Sequence, residues 1–247
     1  MKNLLVPFFI LIAFFVSCKK NTSIVEFPND CLPYSNPSIR IKETKVFEDN
    51  KMWKSVYYYD SLNRLRRRCD SGDYYNEVLW KYDTNKVYTL RADSTILFFY
   101  NLNFQKLAVS SSIGLYQWEY DSSGYLIRET ITVSGLGIQI ENYYYKCWNK
   151  DYGLSSGSDE NGNPTGGGKT TYEYYTDKLN TIGDENMGMI FRGRQNNCLL
   201  KYKISRFQTI IDTIESNTYE FDSLNRVLIE VKKTQEKIRT TIFTYYD

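Results

Sequence analysis

Histidine is absent from all 247 residues of the chain. It is the side chain that titrates nearest neutral pH, a common zinc ligand, and the base of serine and cysteine catalytic triads. Sites of those kinds are therefore excluded. Hydrolysis by two carboxylates needs no histidine and stays open, but 29 acidic residues give no basis for choosing a pair. We predict no catalytic residue and no cofactor, and we favour a protein that is not an enzyme.

Proline is scarce, and the net charge of the chain is small. The chain has five prolines, and its 31 basic residues nearly match its acidic ones. Balanced charge produces no overall field that would attract nucleic acid, so no nucleic-acid partner is predicted. Aromatic residues, in contrast, make up 16% of the chain and include 23 tyrosines. Because aromatic side chains suit the pleated surface of a sheet, an all-β protein is predicted.

Long apolar runs are confined to the N-terminus. The run over residues 4–16 is about 13 residues long, shorter than the roughly 20 that a spanning helix needs. It follows Lys2, so residues 1–17 are predicted to be an export signal. Residues 15–18, FVSC, resemble the lipobox of bacterial lipoproteins, which implies lipid attachment at Cys18. An ordinary secretory signal with an incidental cysteine is the alternative.

Residues 18–38 are polar and contain Pro28, Pro33 and Pro37, a composition typical of a flexible tether. A single β-repeat domain is expected over residues 39–247. The lipid would make the membrane a partner and the protein an outer membrane lipoprotein. Surface-displayed lipoproteins of the Bacteroidetes carry acidic residues after the cysteine, whereas Lys19 and Lys20 stand here. The periplasmic or cell-surface side therefore stays undetermined.

Few cysteines remain once Cys18 is set aside. Cys31, Cys69, Cys147 and Cys198 allow two disulfides in three pairings. Free cysteines packed as small apolar residues are the alternative. No two cysteines have the CxxC spacing, so no metal site is predicted.

A pair of aromatic residues two positions apart recurs eight times, each time just before a turn. The pairs are Tyr57/Tyr59, Trp80/Tyr82, Phe98/Tyr100, Trp118/Tyr120, Tyr143/Tyr145, Tyr172/Tyr174, Tyr219/Phe221 and Phe243/Tyr245. Side chains two apart share one face of a strand. The recurrence therefore predicts one β-hairpin unit used repeatedly, with its aromatic rings forming a core.

Three copies continue into similar turns, YYYDSLNRL, WEYDSSGYL and YEFDSLNRV. Asn63, Gly124 and Asn225 share one position, where a positive φ would close the hairpin. The aspartates that open these turns, Asp60, Asp121 and Asp222, are predicted to accept hydrogen bonds from backbone amides. Their expected role is structural.

These turns resemble those of the YD-repeat proteins. Together with Cys18 and the stretch GMIFRGRQNNCLLKYKIS at 188–205, they resemble more closely the uncharacterised Bacteroidetes lipoproteins that carry YD-repeat-like hairpins. The resemblance covers most of the mature chain. Since those lipoproteins have no assigned activity, it implies no functional residues.

The expected fold is a long antiparallel meander of repeated hairpins, forming a curled sheet, an open roll or a half-barrel. Residues 153–170, rich in glycine, serine and asparagine, are predicted to be flexible. Leu179 to Asn197 is predicted to be an irregular loop or a short helix across a sheet edge. Ligand sites are expected where the repeat breaks, chiefly at 146–170 and 179–197.

For function we expect a lipid-anchored cell-envelope protein that binds a glycan or protein ligand without catalysis. A glycan-directed hydrolase using paired carboxylates and a structural component of an envelope assembly are the alternatives. Aromatic residues outside the repeat register are the expected candidates for an exposed ligand platform. They are Trp53, Tyr74, Tyr75, Trp148 and Tyr152.

Overall fold

The computed structural model describes residues 39–72, 75–112, 115–135, 137–194, 196–207 and 210–246. Within them it contains sixteen strands and one turn of 3₁₀ helix, Ile190–Arg192. The strands are β1 (Ile41–Glu48), β2 (Lys51–Tyr59), β3 (Leu65–Gly72), β4 (Asn76–Tyr82), β5 (Lys86–Arg91), β6 (Ile96–Leu102), β7 (Ala108–Ser111), β8 (Tyr116–Tyr120), β9 (Leu126–Val133), β10 (Gly137–Lys146), β11 (Asn149–Ser158), β12 (Pro164–Leu179), β13 (Cys198–Phe207), β14 (Ile210–Phe221), β15 (Val227–Lys233) and β16 (Ile238–Tyr245). No helix in the described ranges is long and apolar enough to cross a membrane.

Each strand pairs antiparallel with the next, and the sheet closes into a barrel because β1 also pairs with β16. That last pairing runs from Ile41 opposite Tyr245 to Glu48 opposite Arg239. The antiparallel meander predicted from the repeat is confirmed. The prediction that the meander forms a curled sheet, an open roll or a half-barrel was wrong, because the first strand pairs with the last and leaves no open edge.

The repeated turns form as their sequence indicates. Oδ1 of Asp60 accepts hydrogen bonds from the N–H groups of Leu62 and Arg64, both at 2.9 Å, and Asn63 has φ 58°. The turns at Asp121 and Asp222 repeat this pattern. Gly124 and Asn225 take the positive φ there. The predicted structural role of the three aspartates is confirmed.

Close to the start of five strands, an extra residue interrupts the pairing with the neighbouring strand. Three of these bulged residues, Arg66, Ile127 and Leu228, follow the turns at Asp60, Asp121 and Asp222. The other two are Lys42 of β1 and Lys201 of β13. A bulge disrupts the ladder locally and frees backbone groups to bond elsewhere.

Tyrosines of the repeat bond the carbonyls that precede these bulges. The hydroxyl of Tyr82 donates to the carbonyl of Leu65 at 2.8 Å. Four further tyrosines do the same on neighbouring hairpins: Tyr59 to Ile41, Tyr145 to Leu126, Tyr219 to Leu200 and Tyr245 to Val227. Burial raises the pKa of Tyr245 to about 12, so its hydroxyl keeps its proton and remains a donor.

Residues 180–194, 196 and 197, which we call the plug, fill the barrel end that carries these turns. The plug carbonyls of Asn186 and Gly188 accept from the N–H groups of Ile41 and Leu65 at 3.3 and 3.1 Å. The hydroxyl of Thr181 accepts from the N–H of Val227 at 3.0 Å. The segment predicted to cross a sheet edge therefore lies inside the barrel end instead, because the closed barrel has no edge to cover.

The repeat aromatics and the plug build the interior together. One buried cluster contains Tyr57, Leu65 and Phe243, with Met187 and Met189 of the plug packed against it. A second cluster contains Tyr100 and the plug residue Phe191. The repeat aromatics thus form a core, as predicted.

Residues 153–170 are mostly strand, so the prediction of a flexible segment was wrong. They form the β11–β12 hairpin, turning at Asp159. Its glycines serve close packing: a Cβ at Gly166 would lie 2.8 Å from the ring of Phe207. Glycine is enriched here because other atoms approach its backbone.

The cysteines do not form two disulfides among themselves. Cys69 and Cys198 are free, whereas Cys147 is disulfide-bonded. Cys18 and Cys31 lie outside the described residues, as do the predicted signal and tether. Of the two alternatives left open by the sequence, two disulfides among these four cysteines are therefore excluded, because Cys69 and Cys198 are free.

Replacing Tyr82 with Phe should lower the free energy of unfolding by about 1–2 kcal/mol, because the buried carbonyl of Leu65 loses its donor. Tyr88→Phe on the outer face of the adjacent strand β5 is the control and should cost less than about 0.5 kcal/mol. Urea denaturation measures both. Equal losses in the two variants would contradict the role given to the tyrosine hydroxyls.

Candidate functional site

A cavity inside the barrel has a volume of about 460 Å³. It lies against β6 to β9 and the plug. Ligand pockets commonly have volumes of roughly 300–1,000 Å³. Its lining residues are Phe98, Tyr100, Ala108, Ser111, Tyr116, Trp118, Tyr120, Leu126, Glu129, Asp184 and Arg192.

Small side chains open this cavity. Ala108 and Ser111 face inward from β7, which has only four residues. Elsewhere around the barrel end, the inward positions carry the aromatic pairs that form the core. A methyl and a hydroxymethyl group in place of rings leave the space unfilled.

Aromatic rings form one wall of the cavity. Tyr116 and Trp118 project from the same face of β8, with ring planes 6° apart and centroids 5.7 Å apart. Phe98 and Tyr100 of β6 meet edge to face at 5.3 Å. Such packing holds the rings in fixed orientations and gives the wall a defined shape.

Glu129 fixes the orientation of Trp118. Its two carboxylate oxygens accept hydrogen bonds from the indole N–H of Trp118 at 2.9 Å and from the hydroxyl of Tyr143 at 3.2 Å. Burial, reinforced by Glu141 and Glu129, raises the pKa of Tyr143, which therefore stays a donor. Glu129 is an anchored acceptor at the cavity wall.

A second carboxylate stands beside Glu129. Glu141 is its direct partner on β10, so both side chains project into the barrel. Lys150 lies close by, with its ammonium 3.8 Å from the ring centroid of Tyr143. Burial lowers the pKa of Lys150, and Glu141 and Glu129 act in the opposite direction. Of these three groups only Glu129 lines the cavity, and Glu141 and Lys150 form a polar group beside it.

The plug contributes an ion pair to the cavity. Nη1 of Arg192 lies 3.4 Å from a carboxylate oxygen of Asp184. Nη2 of Arg192 donates to the hydroxyl of Tyr100 at 3.4 Å. Because guanidinium carries five N–H donors, Arg192 keeps donors to spare for a ligand.

Ser111 presents an unsatisfied hydroxyl to the cavity. The residue is 7% exposed, and its Oγ has no hydrogen-bond partner among the described residues. A buried hydroxyl without a partner costs about 1–3 kcal/mol. A ligand in the cavity that forms a hydrogen bond with this hydroxyl would remove that free-energy penalty.

Elsewhere in the barrel, Glu215 and Glu230 form another acidic group. Glu215 is paired with Lys232 at 2.8 Å. Burial raises the pKa of Glu230, and Lys232 acts in the opposite direction. Neither glutamate lines the cavity.

The aromatic residues expected to form an exposed platform do not line this cavity: Trp53, Tyr75, Trp148 and Tyr152 are all absent from its lining. Trp148 stacks on Tyr125 and Tyr152 on Tyr144, while Tyr74 lies outside the described residues. The cavity is lined instead by aromatic residues of the repeated pairs, together with Tyr116. Of the two repeat breaks, the plug contributes Asp184 and Arg192 to the lining, and 146–170 contributes nothing. The described part of the chain holds no metal-binding cluster of three or more His, Cys, Asp or Glu side chains.

Two solved structures have a similar fold. A porin-like protein from Bacteroides uniformis ATCC 8492 matches with a TM-score of 0.59 and 15% identity, covering 87% of this chain and 99% of its own. A porin-like protein from Bacteroides vulgatus ATCC 8482 matches with a TM-score of 0.60 and 9% identity, covering 84% and 99%. No family model and no curated protein matches the sequence. At these identities the likeness shows the fold alone.

Glu230→Gln should stabilise the protein relative to the natural sequence increasingly as pH rises from about 4 to about 7. The raised pKa means that the folded state resists ionisation of Glu230. The natural protein therefore loses stability as pH rises above the unfolded pKa towards the folded one, and glutamine has no charge to bury.

Urea denaturation at several pH values measures this difference. Glu220→Gln, at an exposed carboxylate of the neighbouring strand β14, is the control that removes a charge without the burial. A difference for Glu230→Gln that stays constant or shrinks with rising pH would contradict the burial effect.

Proposed function

We propose that this protein is a lipid-anchored component of the cell envelope that binds a small ligand inside its barrel, without catalysis. The observation that carries the proposal is the cavity of about 460 Å³, lined by rings together with Glu129, Asp184 and Arg192. The similar solved structures are described as porin-like, and barrels of that class belong to outer membranes. This supports an envelope location.

The plug favours binding over passage through the barrel. Backbone carbonyls of the plug accept hydrogen bonds from β1 and β3, and the hydroxyl of the plug residue Thr181 accepts one from β15. Phe191 and Met189 pack into the buried clusters. Opening a pore at this end would break these bonds and expose that apolar surface. A ligand entering the barrel would therefore stop at the plug.

Charges on the outer face favour a barrel that stands beside the membrane rather than across it. On β1 and β2, Glu43 pairs with Lys54 at 2.6 Å. On β3 and β4, Arg67 pairs with Glu77 at 2.6 Å. These residues alternate with inward ones such as Thr44 and Val78. A lysine or arginine facing lipid costs about 2–4 kcal/mol at the middle of a bilayer. Anchoring would then come from lipid at Cys18, which lies outside the described residues.

A glycan-directed hydrolase is the second candidate. The observation in its favour is the cross-strand pair Glu129 and Glu141, since glycosidases use two facing carboxylates. Against it, both oxygens of Glu129 are occupied by Trp118 and Tyr143. Membership in the YD-repeat-like lipoproteins also stays a proposal, resting on the turn sequences.

Filling the cavity should abolish ligand binding. Ala108→Phe places a ring in the space beside Ser111, whereas Ser110→Phe places the same ring on the outer face of β7. Thermal shift measurements would screen sugars, amino acids, nucleosides and fatty acids. We expect at least one compound to raise the Tm of the natural protein and of Ser110→Phe, but not of Ala108→Phe. The proposal would fail if no compound raised the Tm, or if Ala108→Phe responded equally.

Removing the lipid site should release the protein from the membrane. The full chain and its Cys18→Ser variant would be expressed with the signal intact, and cell fractions probed after a high-salt wash. We expect the natural protein in the membrane fraction and the variant in the soluble fraction. A variant that remained in the membrane and required detergent for release would show that the barrel itself is held by the bilayer.

A further inference from the structure

We propose that the ligand of the interior cavity is a neutral saccharide, bound with a ring face against Tyr116 and Trp118. This inference rests on the proposed binding function and names the class of ligand. It joins three observations: near-parallel aromatic rings, an unsatisfied buried hydroxyl, and charged side chains of both signs that already have partners within the protein.

The rings of Tyr116 and Trp118 provide the stacking surface. Their planes differ by 6° and their centroids lie 5.7 Å apart. The hydrogen bond from the indole N–H to Glu129 holds Trp118 in place before a ligand arrives. A sugar ring presents C–H groups on its faces and hydroxyls around its edge, so its faces pack on aromatic rings. Because the two rings stack on one another, the sugar ring would pack on a ring face that points away from the pair.

The polar groups of the lining match a ring of hydroxyls. Ser111 can donate and accept, and its Oγ is without a partner. Arg192 supplies donors beyond those used by Asp184 and Tyr100. Asp184 supplies acceptor oxygens. Sugar hydroxyls both donate and accept, so they can satisfy all three groups together.

Other ligand classes leave some of these groups unsatisfied. An acyl chain would bury Ser111, Asp184 and Arg192 against methylene groups without hydrogen bonds, which is unfavourable. An anion would face the carboxylates of Glu129 and Asp184. A cation would find both carboxylates already partnered, Glu129 by Trp118 and Tyr143 and Asp184 by Arg192. A neutral ligand rich in hydroxyls meets neither obstacle.

Calorimetry on the full mature chain tests the class of ligand. The probes are neutral hexoses, N-acetylhexosamines and disaccharides, with a fatty acid, an amino acid and a hexuronic acid for comparison. Tyr116→Leu removes a stacking ring, and Ser111→Ala removes the hydroxyl. Tyr152→Leu, which removes a ring from the outer face of β11, is the matched control. Circular dichroism confirms that each variant is folded.

We expect a neutral saccharide to bind, and its Kd to rise about tenfold or more in Tyr116→Leu and in Ser111→Ala but not in Tyr152→Leu. Should Tyr116→Leu fail to fold, Ser111→Ala and the cavity-filling Ala108→Phe give the same test. Binding of the fatty acid, the amino acid or the uronic acid in the cavity, without a neutral sugar, would overturn this inference and leave the proposed binding function standing. If no probe bound, or if saccharide binding were unchanged in Ser111→Ala and Ala108→Phe, the saccharide assignment would be wrong.

Discussion

The backbone groups of Ile41, Leu65 and Val227 are the constraint on which the rest of the structure depends. Each residue is at most 1% exposed and precedes a bulge, where the strand ladder is interrupted. Each carbonyl accepts from a tyrosine hydroxyl of the neighbouring hairpin, and each N–H donates to the plug. Because buried backbone groups must be paired, the bulges, the tyrosines and the plug require one another.

This mutual requirement determines where space remains. Large inward rings and the plug residues Met187 and Met189 fill the part of the barrel around β1, β2, β3 and β15. On the opposite side, β7 presents Ala108 and Ser111, which leaves the cavity between the plug and β6 to β9. The plug therefore has two roles: it satisfies the bulged backbone, and it brings Asp184 and Arg192 to the cavity wall.

The sequence predicted what is encoded locally. Asp60 and Asn63 specify a turn within five residues, and aromatic residues two apart must share a face. The structure contains both the turn and the shared inward face. Closure of the barrel depends on β1 pairing with β16, about 200 residues away, and no local signal reports such a contact. The glycines near 166 suggested flexibility, although they are needed for the approach of Phe207.

The sequence predicts one part of the candidate site, the plug, but not the cavity beside it. The plug was identified as a break in the repeat, and such a break is where a ligand site was expected. The cavity itself arises from the small size of Ala108 and Ser111, and two small residues in a short strand carry no pattern. The pairing of Glu129 with Glu141 likewise follows from the register between β9 and β10, which the sequence alone does not give.

Hydrogen exchange at the amides of Ile41, Leu65 and Val227 tests the central claim most directly. If the plug pairs these groups throughout the native state, their exchange should be as slow as that of the most protected ladder amides, and all three should exchange only on global unfolding. If these three amides exchanged much faster than neighbouring ladder amides, the plug would be dissociating from the strands while the barrel stays folded. That result would contradict the account of a barrel closed at one end.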